Sequence, residues 1–390
     1  MILRRLVFLS LAATLPLLAT AATTPAAPAP PNPTDAAIRD LGRAWLANNN
    51  GIGLTIGIYQ NGERRFYNLG ATALDGNKPP TKDTIYEVGS VGKTMTGQLL
   101  ARAIVEGRAS LNDEAAKYLD EPYPNLENGG EHIRLSHLIN MTSQLADNIP
   151  DITRVAAVPG EPMAISRMKV FDKYTKKEFL RQLHRVAPRL PPGSDPSHSN
   201  VASVLLGVIL EKIYDEPFDE ILTHEIEKPL HMASGTDPNT KLLARGYTTD
   251  NDELPTFDAP LSYASGSLRY SADDLLKYAS WQLAERDASV KLAHQGTWFT
   301  LNRKQSVAFY WITSDTPQGR RLNYSGGTYG FSSVCELYPD AKVAIVLLAN
   351  KATDGAQENL RALSGKLIEL VHPAEAISPS SSEGVPPPGR

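Results

Sequence analysis

Residues 87–94 read Glu87-Val88-Gly89-Ser90-Val91-Gly92-Lys93-Thr94, and what this octapeptide does decides the fold. Two chemistries fit it. Gly92-Lys93-Thr94 matches the end of the phosphate-binding loop G-x-x-x-x-G-K-[ST]. The leading glycine of that loop is Glu87 here, which places a carboxylate where backbone amides should meet phosphate. No apolar strand ending in aspartate offers itself to hold magnesium; the best candidate, residues 343–348, runs into Ala349-Asn350. The second fit is Ser90-x-x-Lys93 at the start of a helix. Three residues apart on a helix, the two side chains share a face, so the lysine nitrogen reaches the hydroxyl. Serine is a weak nucleophile until a base takes its proton. A lysine desolvated beside a helix N-terminus has its pKa lowered enough to be that base. Alone, S-x-x-K is a common chance match, a capping serine beside a surface lysine, so the surrounding chain has to decide.

Upstream, residues 53–59 and 64–69 are strand-like and joined by Gln60-Asn61-Gly62-Glu63. Asn-Gly between apolar runs signals a hairpin, because both residues tolerate positive φ. Before the hairpin, Thr34 or Asp35 is placed to cap a helix through Asn48, with Ile38, Leu41, Trp45 and Leu46 on one face. Downstream, a helix is predicted from Ser90 to about Glu106, ended by Gly107. Residues 110–260 mix short helical patterns with Pro and Gly loops, and 201–214 (VASVLLGVILEKIY) form the clearest helix. Residues 307–313, 331–338 and 342–348 read as strands, and 357–371 as a terminal amphipathic helix. Strands at both ends with helices between predict an α+β fold. One antiparallel sheet is built from both termini and flanked by helices, and a helical lobe is inserted. The two lobes fall at about 34–90 with 262–372, and at about 91–261. The cleft between them is the expected site.

The 390 residues are 42% hydrophobic, which supplies a large core and excludes wholesale disorder. A net charge of −4 argues against a nucleic-acid surface. The single cysteine, Cys335, alternates with Val334 in a strand and reads as a small buried hydrophobe. Residues 1–21 read as a signal peptide: Arg4 and Arg5 precede an apolar run too short to span a bilayer, and Ala19-Thr20-Ala21 fits a cleavage site. The mature product is then periplasmic or secreted, without a stable membrane anchor. Residues 22–33 form a Pro/Ala-rich spacer, and 373–390 a Ser/Pro-rich disordered tail. His224-Glu225 lacks a partner at zinc-protease spacing, and no metal or cofactor is expected.

Further segments carry a resemblance. Leu111-Asn112-Asp113 through Tyr118-Leu119, residues 133–145 (IRLSHLINMTSQL), and Pro192-Gly193 followed by His198-Ser199-Asn200 come in that order. Pro229-Leu230-His231-Met232 and Tyr324-Ser325-Gly326-Gly327-Thr328-Tyr329-Gly330-Phe331 complete them. With Ser90-x-x-Lys93, they resemble the serine β-lactamase and penicillin-binding-protein superfamily, most closely the branch of class C β-lactamases, D-aminopeptidases and related esterases. The resemblance spans residues 40–370 and implies the β-lactamase/transpeptidase-like fold. It implies Ser90 as the acyl-accepting nucleophile and Lys93 as its base, with Asn200 orienting substrate and Lys93. It implies that Gly326 and Gly327 lie on a strand edge flanking the scissile carbonyl, and that the Ser90 and Gly327 amides form an oxyanion hole.

The departures shape the rest. His198 stands where the family's second motif has tyrosine, and Tyr324 where its third motif has lysine or histidine. One interpretation is an exchange that keeps both proton-relay side chains, His198 and Tyr324, around one serine; the other is decay to a silent binder of cell-wall peptide. Met141 and Gln144 also replace the family's His and Gly. Tyr324 carries no charge, so acidic substrates lose an anchor unless Arg320 or Arg321 replaces it. The expectation is an acyl-enzyme hydrolase of small esters or amides, D-amino-acid and peptidoglycan-type peptides among them. A β-lactamase is the alternative of the same chemistry.

Overall fold

Asn61 and Gly62 both take positive φ, +53° and +89°, and close a two-residue turn in which Gln60 pairs with Glu63. The turn joins strands β1 (Gly53–Gln60) and β2 (Glu63–Gly70). The structure, a computed structural model, describes residues 32–237 and 241–374. The signal peptide, nearly all of the spacer and nearly all of the tail expected from sequence lie outside the described residues.

The C-terminal part adds β3 (Trp298–Phe299), β4 (Gln305–Ala308), β5 (Trp311–Thr316), β6 (Gly319–Gly327), β7 (Ser332–Tyr338) and β8 (Val343–Ala349). Together with the hairpin they form one eight-stranded sheet of order β2-β1-β8-β7-β6-β5-β4-β3. Every adjacent pair is antiparallel. The join between the chain ends is β1 against β8, with Leu54 opposite Ala349 and Gln60 opposite Val343. Strands β7 and β8 are buried along their whole length. Covering on both faces accounts for the uninterrupted apolar run VAIVLLA in β8.

Helices α1 (Pro33–Asn48), α2 (Gly92–Val105), α3 (Asn200–Tyr214), α4 (Ala272–Ala284) and α5 (Ala356–Val371) build the two layers. On one face of the sheet Ile38 and Trp45 of α1 and Leu360, Leu363 and Leu367 of α5 pack with Ile56, Val334 and Leu347. On the other, α2, α3 and α4 share a second core with Val346 and Leu348. α2 thus runs between the sheet side and the helices of the middle segment, which puts its N-terminus at the seam.

Three expectations need correction. Helix α1 is capped by Asn32, whose Oδ1 accepts from Thr34 N, because Pro33 fills the first helical position. The helix predicted from Ser90 begins as a 3-10 turn, Gly89–Val91, before α2 proper. Residues 307–313, read as one strand, are two: β4 and β5 reverse at Phe309-Tyr310, with φ of +49° and +73°. Helix α4 was not anticipated, and of strand β6 only the Gly326-Gly327 edge was expected, from the resemblance. β6 (GRRLNYSGG) has neither alternation nor an apolar run, yet lies inside the sheet between β5 and β7. Among the described residues no helix is long and apolar enough to cross a membrane.

Candidate active site

The turn that presents Ser90 is built by backbone crowding. The short strand Ile85–Glu87 pairs with Arg269–Ser271, and Val88 N donates to Leu268 O at 3.0 Å. Gly89 then takes φ +52°, and a Cβ there would lie 2.5 Å from Gly327 N. A Cβ on Gly326 would lie 2.2 Å from Val88 O and 2.8 Å from Ser90 N. No other residue fits either place, since real Cβ atoms do not approach so closely. The end of β6 therefore lies close against the Ser90 turn, with Gly327 N beside Gly89 and Ser90 N beside Gly326.

Lys93, on the first turn of α2, is 1% exposed. Its Nζ lies 2.8 Å from Ser90 Oγ, 2.8 Å from Asn200 Oδ1 and 2.5 Å from the Ser265 carbonyl. Asn200 opens α3, and its Nδ2 donates to Asn148 Oδ1 at 3.0 Å, which turns Oδ1 toward the lysine. Burial brings the Lys93 pKa down from 10.5 to about 7, against the opposing charge of Asp147. A neutral amine has two N–H groups and one lone pair. With the two hydrogens given to the Asn200 and Ser265 oxygens, the lone pair faces Ser90 O–H: a base in contact with its nucleophile.

His198 and Tyr324 both line the same cleft but do not form one network. His198 is half exposed, and its Nδ1 lies 2.6 Å from Asp147 Oδ1. Burial opposes ionisation of Asp147, but the His198 hydrogen bond and the charges of His198 and Lys93 leave it below the usual carboxylate range. Tyr324 is buried, donates to Met141 Sδ at 3.3 Å and meets the Tyr310 ring edge-on. Burial pushes its phenol well above the ordinary value. No hydrogen bond links Tyr324 to Ser90, Lys93 or His198 among the described residues. The expected exchange of two relay groups is therefore not how the side chains are arranged: His198 is tied to Asp147, and Tyr324 to a thioether.

The cleft encloses about 630 Å³. Its walls are apolar and aromatic, with Phe171, Phe257 and Tyr329 stacked edge to face at 5.9 and 5.5 Å. No lysine or arginine among the described residues lines it. Arg320 and Arg321, expected as substitutes for the missing lysine, point elsewhere. Arg320 is held by Glu285 at 2.7 and 2.8 Å, and the charge of Arg321 acts on buried Glu336. A cation at the cleft edge is Arg361 of α5, whose Nη1 donates to Ser325 Oγ at 2.9 Å. Gln144, standing where the resemblance has glycine, keeps the left-handed backbone at φ +59° and donates to Asp195 O at 2.7 Å.

Sequence reasoning missed Asp147, Asn148 and Ser265. The Asp147-Asn148 pair lies one residue beyond the 133–145 segment, and that proximity was the available signal. Ser265 acts through its backbone carbonyl, which leaves no trace in residue identity.

The family model described as Beta-lactamase matches residues 35–368. A β-lactamase of Pseudomonas fluorescens is 22% identical over 344 residues, covering 78% of this chain and 90% of the relative. The D-alanyl-D-alanine-carboxypeptidase/endopeptidase AmpH of Escherichia coli (strain K12) is 22% identical over 349 residues, 83% of this chain and 87% of the relative. Protein flp of Staphylococcus aureus (strain N315) is 27% identical over 319 residues, and the match spans 76% of this chain and 59% of that relative. Among solved structures, a class C β-lactamase superposes with a TM-score of 0.73 at 21% identity, covering 86% of this chain and 96% of the other. A β-lactamase/D-alanine carboxypeptidase from Pseudomonas syringae gives 0.70 at 20% identity, covering 86% and 98%.

Proposed function

The chain belongs to the Beta-lactamase family and is one of its serine hydrolases, and from that premise we propose that it cleaves small neutral esters or amides through an acyl-enzyme on Ser90. The observation that carries the proposal is the Ser90 Oγ to Lys93 Nζ distance of 2.8 Å, with the lysine held near neutral by burial. Lys93 takes the Ser90 proton as Oγ attacks the carbonyl. The Ser90 and Gly327 amides stabilise the oxyanion, and Lys93 returns the proton to the leaving group. Asn200 keeps the lysine in place. The neutral substrate class rests on walls without a lysine or arginine and on Tyr324 at the position of the family's third-motif lysine. The signal-like segment at residues 1–21 supports reading this activity as an exported one.

A second reading has one observation in its favour. Arg361 at the cleft edge is a cation that a substrate carboxylate could recruit, which would admit D-alanine-ended peptides of the kind the AmpH name describes. One experiment addresses both. Exposure to an activated ester or a penicillin, followed by intact-mass analysis, should show an adduct mapping to Ser90 and absent in Ser90→Ala. Matched neutral and carboxylate-bearing esters should then be compared. The neutral partner should react faster, and Tyr324→Lys should favour the acidic one by about tenfold or more, the worth of a charge-assisted hydrogen bond. Turnover that survives Ser90→Ala refutes the acyl-enzyme. A wild type that prefers the acidic ester moves the assignment to Arg361 and the peptide.

A further inference from the structure

Hydrolysis through an acyl-enzyme needs a base twice, and Lys93 is placed to serve only once. Its nitrogen is bonded to Cε and makes three further contacts, to Ser90 Oγ, Asn200 Oδ1 and Ser265 O. Tetrahedral nitrogen has no fourth direction left for a water. Once Oγ is acylated it carries no proton, and Lys93, neutral again after protonating the leaving group, keeps its lone pair on Oγ and its two N–H groups on Asn200 and Ser265, off the cleft wall. The water that releases the acyl group must therefore lose its proton elsewhere.

The candidates are the titratable side chains on the cleft wall: Asp147, His198, Tyr174, Tyr324 and Tyr329. The three phenols are pushed upward by burial, to about 12 for Tyr174 and Tyr329 and higher for Tyr324, so they stay protonated. Asp147 spends Oδ1 on His198 Nδ1 at 2.6 Å. An ionised carboxylate accepts only, so the Nδ1 proton points at Asp147 and the neutral ring carries its lone pair on Nε2. Nε2 has no hydrogen-bond partner among the described residues, on a ring that lines the cleft. Asp147 is itself held from the backbone: its carbonyl accepts from Asn200 N at 2.8 Å, at the start of the helix that carries the lysine's partner.

We propose, on the acyl-enzyme reading above, that His198 is the deacylation base and Asp147 its positioning residue, so that two bases divide the reaction. Water attacks the acyl carbon while one of its protons passes to His198 Nε2, and the carbonyl electron pair moves onto the oxygen held by the Ser90 and Gly327 amides. As the oxyanion collapses, the acyl C–Oγ bond breaks and the imidazolium returns the proton to Oγ. Ser90 is restored as a hydroxyl, and the carboxylic acid leaves. Lys93 is a spectator in this half.

Pre-steady-state kinetics with p-nitrophenyl acetate on the full-length enzyme separates the halves. In His198→Gln and Asp147→Asn the nitrophenol burst should keep its rate within about threefold, while steady-state turnover falls about a hundredfold, the range of a lost general base. Intact mass should show acetyl-Ser90 accumulating. Added imidazole should restore turnover in His198→Ala without changing the burst. The retained burst also reports that each variant is folded. Burst and turnover falling together, or neither falling, overturns the division of labour while the Ser90 adduct stands. Absence of any Ser90 adduct in the wild type refutes the acyl-enzyme itself.

Discussion

At the scale of single residues, protonation of Lys93 has the most direct consequence in solution. Burial brings its pKa from 10.5 down to about 7. The rate of Ser90 acylation should therefore rise with pH through about 7 and level off above it, and Lys93→Arg, which stays charged, should abolish the rise along with the activity. Burst rates measured from pH 5 to 9 check this; a flat profile would mean the amine is not the base. The same shift acts on stability. Between about 7 and 10.5 the unfolded lysine holds a proton that the folded one has released, so this group makes stability increase with pH across that window. Ser90 and Lys93 were legible from their spacing, because i and i+3 share a helix face. Asp147, whose bond to His198 joins residues 51 apart in sequence, was not.

Two turns of the same geometry show where legibility stops at the scale of elements. Asn61-Gly62 and Phe309-Tyr310 both reverse an antiparallel pair with two positive φ angles. The first announces itself. The second is hidden, because Phe309 and Tyr310 are buried core residues, 0% and 1% exposed, that accept the left-handed backbone for the packing it allows. Tyr310 N also donates to Ile139 O at 2.9 Å, which ties the turn to the helical layer. Replacing the pair with Asn-Gly would relieve about 1–2 kcal/mol per residue of left-handed strain. It would forfeit about 3–5 kcal/mol for each buried aromatic removed. The double variant Phe309→Asn, Tyr310→Gly should therefore be less stable than the wild type despite its better turn chemistry, as urea unfolding would read; a gain in stability would mean the turn, not the packing, sets the balance. Strand β6 ahead of its Gly326-Gly327 edge was missed for a related reason. Gly326 and Gly327 serve the Ser90 turn rather than the sheet, and its arginines answer Glu285 and Glu336 from other elements.

The whole molecule is closed by pairing residues almost 300 positions apart, Leu54 with Ala349, so the sheet has no stable half. Cys335 lies in β7 near its middle, 0% exposed, with its thiol pushed up to about 12 by burial and the neighbouring Glu336. A thiol reagent should leave the native protein untouched, and in a urea titration labelling of Cys335 should share its midpoint with loss of near-UV dichroism. Labelling well before that midpoint would show the sheet opening locally. The sequence by itself determined the hairpin, the buried helix at 201–214, the strands at 331–338 and 342–348 and the serine–lysine pair. Each of these rests on neighbours within a few residues: a periodicity, a turn dipeptide, a helical spacing. Only the tertiary structure decided that Tyr324 faces a thioether, that Arg320 and Arg321 turn away from the cleft, and that His198 meets Asp147. Those outcomes depend on which strands and loops are brought side by side, and that is set by burial of the whole sheet between its two helical layers rather than by local preference.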